Sequence, residues 1–168
     1  TLDISTGQGQ ALVRQLVAGA DVLVENYKVG QLLKYGLDYD SLKAIKPDLI
    51  YCSITGFGQT GPYASRPGYD FIVQGIGGFM SVTGERDELP GGGPQKGGVA
   101  ITDLFTGAHA TIAILAALAH RASVAKNPAP GPATPRHRFV RESRESIAKR
   151  LSLLDGVGQG LRAGGRSR

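Results

Sequence analysis

Two short apolar runs, Asp21-Val22-Leu23-Val24-Glu25 and residues 49–54 (LIYCSI), constrain the fold most. Each is nearly continuous in apolar character and bounded by polar or turn-forming residues, the pattern of a strand buried in a parallel sheet. Parallel neighbours need a crossover connection, and residues 26–48 supply one. A short helix is predicted over residues 29–35, closed by Gly36, and another over residues 39–46, stopped before Pro47. Ahead of the first run, Ser5 or Thr6 is placed to cap a helix carrying Ala11, Leu12, Leu16 and Val17 on one face, with Gly19 ending it. The order helix, strand, helices, strand implies an α/β chain with an open parallel sheet and a right-handed crossover.

After the second run, residues 55–68 are rich in Gly, Pro, Ser and Thr and read as a loop at the carboxyl end of the strand, the side on which α/β sheets bind ligands. Within it, Gly56-Phe57-Gly58-Gln59-Thr60-Gly61 fits the dinucleotide fingerprint in letters but not in context. That fingerprint must open a helix whose N-terminus holds a pyrophosphate, and Pro62 and Pro67 keep this stretch irregular. Residues 71–80 read as helical despite Gly75, Gly77 and Gly78, and residues 85–98 as a loop in which Gly91-Gly92-Gly93 makes a turn.

Asp103 stands between the apolar run Val99-Ala100-Ile101 and a helix predicted over residues 104–121. An aspartate there is ordinarily a cap, because its oxygen accepts an orphan backbone N–H and the helix dipole favours its charge. It can also be a nucleophile. His109, two turns further on, reads as structural, as a lone helical histidine usually is.

The chain has 168 residues, 41% of them hydrophobic, enough for one domain with a core. Its formal charge of +5 suggests nucleic acid until the charge is located. Residues 122–168 hold ten Lys and Arg against three acidic residues, whereas residues 1–121 hold nine against eleven. The basicity belongs to a tail that begins with four prolines between residues 126 and 135 and continues rich in Arg, Ser and Gly, a composition that predicts disorder. The single cysteine, Cys52, sits in a strand interior and reads as packing. No apolar stretch is expected to span a membrane, the longest being residues 110–119, and no signal-peptide pattern opens the chain, which starts at Thr1. A cytoplasmic fragment is the expectation.

The segment LIYCSITGFGQTGPYASRPGYDFIVQGIGG (49–78), followed by VAITDLFTG (99–107) and preceded by DVLVENYKVGQLLKYGLDYDSLKAIKPDLIYCS (21–53), resembles the family III CoA-transferases of the CaiB/BaiF type, which include formyl-CoA transferase. Separated motifs match in the same order over residues 1–121. The resemblance implies a truncated part of that family's Rossmann-like large domain, with residues 122–168 as a tail unlike the family, such as a frameshift would leave. It further implies coenzyme A or an acyl-CoA as substrate, a small carboxylic acid as second substrate, no metal, and an interlocked homodimer for the whole protein. Asp103 matches the catalytic carboxylate; Asn26, Tyr27, Lys34 and Tyr35 match coenzyme A contacts; Tyr69 and Asp70 match substrate-binding positions. Lys34 stands where formyl-CoA transferase has Arg, giving phosphate a point charge without a bidentate fork, and Pro67 replaces a coenzyme-contacting Lys, which argues against formyl-CoA specificity.

The chemistry implied is covalent: a carboxylate is ionised at neutral pH and attacks a thioester, dividing one difficult exchange into steps through an anhydride and an aspartyl thioester. A racemase resembling α-methylacyl-CoA racemase is the alternative within the superfamily. Those enzymes carry His at the position of Tyr69, and a phenol lacks comparable basicity near pH 7, so transfer is favoured. Outside it, the Arg-rich tail suggests a nucleic-acid binder, disfavoured because Phe139 is its only aromatic. An inactive or regulatory fragment is the third expectation.

Overall fold

The structure is a computed structural model that describes residues 1–126 and the backbone strand Phe139–Ser143. The expectation of a disordered tail otherwise falls outside the described residues. Two compact units are present: the first holds Thr1–Thr55 and the described residues of Ala108–Glu142, the second Gly56–Gly107.

The first unit begins with helix α1, Gly7–Ala18. Thr6 is its N-cap, its hydroxyl accepting the amide hydrogen of Gly9 at 3.1 Å, and the amide of Gly19 closes it on Leu16 and Val17. Gly9 is required by space: a Cβ there would lie 1.8 Å from the carbonyl oxygen of Asp3. The buried side of α1 carries Gly9, Val13 and Val17, not Leu12 and Leu16, which are exposed. This corrects the expected face by about one residue around the helix; apolar residues on both sides of α1 left the periodicity ambiguous.

Strand β1, Val22–Glu25, follows and runs parallel to β2, Ile50–Thr55, in the register Val22↔Ile50 to Glu25↔Ser53. The sheet order is β1-β2-β3, with β3 at Phe139–Ser143 beside β2. Between β1 and β2 the helix expected over residues 29–35 shortens to a 3₁₀ turn, Leu33–Tyr35, because Gly30 and Gly36 take positive φ of 75° and 61° and interrupt an α-helical path. Helix α2 is Tyr39–Lys43, after which the chain continues in turns bonded to Leu42 rather than as helix to Lys46.

Val17, Leu32, Leu37, Leu42, Leu49 and Tyr51 form the core of this unit, with Ile4, Val13, Leu23, Tyr35 and Tyr39 packed against it. Full burial of each such aliphatic side chain contributes about 1.5–3 kcal/mol. Tyr51 keeps its hydroxyl satisfied by donating to the Leu37 carbonyl at 3.3 Å, and burial pushes its phenol well above the usual range. Cys52 is fully buried in β2, as its apolar neighbours implied.

Helix α4 spans Ile101–Lys126, longer at both ends than the sequence suggested. It is long and apolar enough, by length and composition alone, to cross a membrane, with a mean hydropathy of 1.5 over its best window. The expectation that no stretch reaches that span is therefore corrected: Gly, Thr and His interrupt the apolar run without ending the helix. The core helix of a soluble protein has the same composition. Near its far end Arg121 ties the helix to the start of both strands, donating to the Asp48 carbonyl at 3.2 Å and pairing with Asp21 at 2.5 Å.

Candidate functional site

In the second unit the chain leaves β2 as the irregular loop its glycines and prolines implied. No helix opens at the Gly56–Gly61 string; Gly58 and Gly61 have φ of 84° and 97°, so the dinucleotide fingerprint lacks its helix. Phe57 and Tyr63 meet edge to face with ring centroids 5.8 Å apart, and the Arg66 guanidinium lies 4.5 Å from the Tyr63 ring. The loop delivers the chain to α3, Asp70–Ile76, which ends earlier than expected because Gly78 is left-handed at φ 81°; a 3₁₀ turn, Phe79–Val82, follows. The Gly91–Gly93 run is a turn, with positive φ at both ends.

Asp70 and Asp103, assigned different roles from sequence, are brought together. Asp70 is the first residue of α3, but its side chain serves α4. Its Oδ1 accepts the amide hydrogen of Thr102 at 2.8 Å, the Thr102 hydroxyl at 2.5 Å and the amide hydrogen of Asp103 at 3.2 Å. The first N–H groups of α4 thus find their acceptor on another element, which lets the helix begin at Ile101 and places Asp103 inside its first turn. This corrects the capping reading of Asp103, which lies inside the first turn rather than at its cap, while the Asp70 side chain caps α4 from another element. Burial raises the Asp70 pKa, but the bonds from Thr102, Gln74 and Asp103 outweigh it and hold the carboxyl below its usual value.

Gln74 completes the arrangement. It is fully buried, its Nε2 donating to Asp70 Oδ2 and to the Val99 carbonyl at 3.3 Å, while its Oε1 accepts the Gly97 amide hydrogen at 2.8 Å. Thr102, also fully buried, receives the Thr106 hydroxyl on its carbonyl at 2.6 Å. Oδ1 of Asp103 is shielded from solvent. Sequence reasoning missed Gln74 and Thr102. Their signal was only a polar residue amid apolar ones, at Gln74 within FIVQGI and Thr102 within VAITD, and neither string says what the polar group bonds. Tyr69 precedes α3, 61% exposed and with no side-chain capping bond.

The residues matched to coenzyme A contacts lie in the first unit. Asn26 and Tyr27 follow β1, both exposed, and the Tyr27 amide donates to the Glu25 carboxylate at 2.7 Å. Lys34 is exposed on the 3₁₀ turn with its ammonium 4.6 Å from the Tyr35 ring centroid. Arg14, not anticipated, reaches across from α1 to donate to the Tyr35 carbonyl at 2.7 Å, adding a second cation to this turn. His109 is half-buried on the first unit's part of α4. Among the described residues no three His, Cys, Asp or Glu gather as metal ligands would.

Fold and site together define an α/β protein with a parallel sheet and an aspartate held in the first turn of a long helix by a partly buried polar clamp. The family model for CoA-transferase family III matches residues 1–126. Succinate–glutarate CoA-transferase of Agrobacterium fabrum is 61% identical over 118 residues, 70% of this chain and 28% of its own length. Succinyl-CoA:glutarate CoA-transferase of Mus musculus is 47% identical over 120 residues, 71% of this chain and 27% of its own length. A crystal structure of a CaiB/BaiF family protein from Brucella suis superposes with a TM-score of 0.81 at 48% identity, covering 100% of this chain and 40% of that one. The chain belongs to CoA-transferase family III. It spans just over a quarter of the length of these two curated relatives.

Proposed function

We propose that the whole protein carrying these residues moves coenzyme A between an acyl-CoA and a free dicarboxylic acid of the succinate or glutarate class, with Asp103 as the acyl-accepting nucleophile. The observation that carries the reading is Asp103 in the first turn of α4, its backbone N–H bonded to Asp70, in a chain 61% identical over its matched part to a succinate–glutarate CoA-transferase.

The Asp103 carboxylate attacks the thioester carbonyl, forming a mixed anhydride and expelling CoA thiolate. The thiolate then attacks the Asp103 acyl carbon, giving an aspartyl-CoA thioester and releasing the donor as its carboxylate. The acceptor carboxylate attacks that thioester, regenerating an anhydride and the thiolate, which takes the acceptor acyl group and frees Asp103. No external reductant, oxidant or metal enters this balance. Asn26, Tyr27, Lys34 and Tyr35 hold the coenzyme, Lys34 by its charge on phosphate. Tyr69 contacts the acid. The fragment of 168 residues alone is inactive, and the working enzyme is a cytoplasmic homodimer.

The test uses the whole protein, succinyl-CoA and hydroxylamine, with mass spectrometry of the peptide containing Asp103. A hydroxamate on Asp103 is expected, and Asp103→Asn is expected to lower turnover by about three orders of magnitude or more. Normal thioester exchange in that variant would remove Asp103 from the mechanism.

A further inference from the structure

We infer that Asp70, Gln74 and Thr102 are positioning residues that set the place of Asp103, and that Asp70 does not bind the acid substrate. The inference rests on the reading of Asp103 as nucleophile.

The argument begins with acceptor capacity. A carboxylate offers about four lone-pair sites. Asp70 has three donors on Oδ1, from the Thr102 amide, the Thr102 hydroxyl and the Asp103 amide, and Gln74 on Oδ2. Oδ1 is fully occupied by protein donors and Oδ2 is held by Gln74. An ionised carboxylate in that state repels a second carboxylate and has no proton to offer it, so a substrate-binding role is the wrong one for its chemistry.

The geometry supplies the right one. Asp70 and Gln74 are four residues apart on α3 and therefore share a face. Every partner of that face lies in one stretch of chain: Gly97, Val99, Thr102 and Asp103. Gln74 fixes the approach to α4 at two backbone points, and Asp70 fixes its first turn at two more. The backbone amide of the proposed nucleophile is itself one of the bonded groups. Gln74 and Thr102 have no exposure, so water cannot replace a lost bond without first entering the site. Space is equally tight, since a Cβ on Gly97 would lie 3.2 Å from the Phe79 ring and 3.5 Å from Gln74 Oε1.

The experiment compares Asp70→Asn, Gln74→Met, Thr102→Val and Thr102→Ser in the whole protein with succinyl-CoA and glutarate. A displaced nucleophile costs chemistry more than binding, so kcat is expected to fall about 10- to 100-fold in the first three, with both KM values within about threefold. Thr102→Ser keeps the hydroxyl and should retain kcat within about twofold. Asp70→Asn combined with Gln74→Met should be little worse than the poorer single variant, because both break one device. The inference is overturned if KM for glutarate rises while kcat holds, which would make Asp70 a substrate contact. It is also overturned if kcat survives in the folded variants or if the two losses multiply. Should Gln74→Met fail to fold, the Thr102 pair decides: valine replaces the hydroxyl by a methyl, whereas serine keeps the hydroxyl and loses only the methyl. Asp103→Asn in the same assay separates the two levels. Turnover persisting there defeats the nucleophile, whereas turnover lost there but untouched by the clamp variants defeats the clamp alone.

Discussion

Gly56 and Gly68 pass backbone to backbone: a Cβ on Gly56 would lie 2.4 Å from both Cα and N of Gly68, and a Cβ on Gly68 would lie 2.4 Å from Cα of Gly56. The loop between them is closed by this contact as well as by the Phe57–Tyr63 rings. No side-chain adjustment relieves a clash with main chain. Gly56→Ala and Gly68→Ala are each expected to lower unfolding free energy by more than about 2 kcal/mol, read from urea midpoints. Gly7→Ala, where a Cβ meets nothing within 4 Å, is the control and should be neutral or slightly stabilising.

The two leucines Leu42 and Leu16 separate what packing decides from what apolar character suggests. Leu42 has no exposure and belongs to the core of the first unit, whereas Leu16 is 70% exposed on α1. Leu42→Ala should cost about 2–5 kcal/mol through lost burial and the cavity left behind. Leu16→Ala should change stability by less than about 0.5 kcal/mol in this chain. Equal losses in thermal or urea unfolding would mean that the buried face of α1 is the one Leu16 occupies.

That contrast marks how far the sequence could be read. The strands at residues 22–25 and 50–55 and a cap at Ser5 or Thr6 followed from local pattern, because each depends on residues adjacent in the chain, and the parallel pairing followed from the order of the elements. Asp103 was singled out through its motif as the candidate nucleophile. The clamp was not legible: Asp70 and Thr102 are 32 residues apart, and an aspartate after a tyrosine at a helix start looks like an ordinary cap until the acceptor's donors are seen. The early start of α4 was missed for the same reason. A helix end capped from another element carries no capping residue of its own. The shortened turn at Leu33–Tyr35 was missed because Gly30 was read as part of a helix, whereas its positive φ interrupts it.

The Asp70 bonds make stability depend on acid in a definite direction. Burial works against ionisation, but the donors from Thr102, Gln74 and Asp103 prevail and the folded carboxyl titrates below the unfolded one. A group with a depressed folded pKa contributes its stabilisation above the unfolded value, about 3.9 for Asp, and loses it as pH falls through the folded value. The protein should therefore lose thermal stability below about pH 4 more steeply than Asp70→Asn does. The difference in Tm between the two should be nearly constant from about pH 5 to 7 and shrink towards pH 2. A gap that widens on acidification would mean that the clamp does not favour the ionised form.

Lys34 offers the sharpest test of the proposal that this turn meets the phosphates of coenzyme A. Its ammonium is exposed, rests near the Tyr35 ring, and shares its turn with the Arg14 guanidinium bonded to the Tyr35 carbonyl. Arg14 is committed to the backbone, so its loss would disturb the turn. Lys34 makes no such backbone bond among those described and can be exchanged with less structural cost. An exposed charge that meets phosphate contributes attraction screened by salt. In the whole protein, Lys34→Ala should raise KM for succinyl-CoA several-fold, on the order of 3- to 10-fold, with kcat little changed. The difference from wild type should narrow as ionic strength rises towards 1 M, where the Debye length falls to about 3 Å. Lys34→Arg should restore or improve KM, because a guanidinium can bind phosphate through two bonds. An unchanged KM in Lys34→Ala at low salt would move the phosphate site away from this turn and leave the nucleophile at Asp103 unaffected.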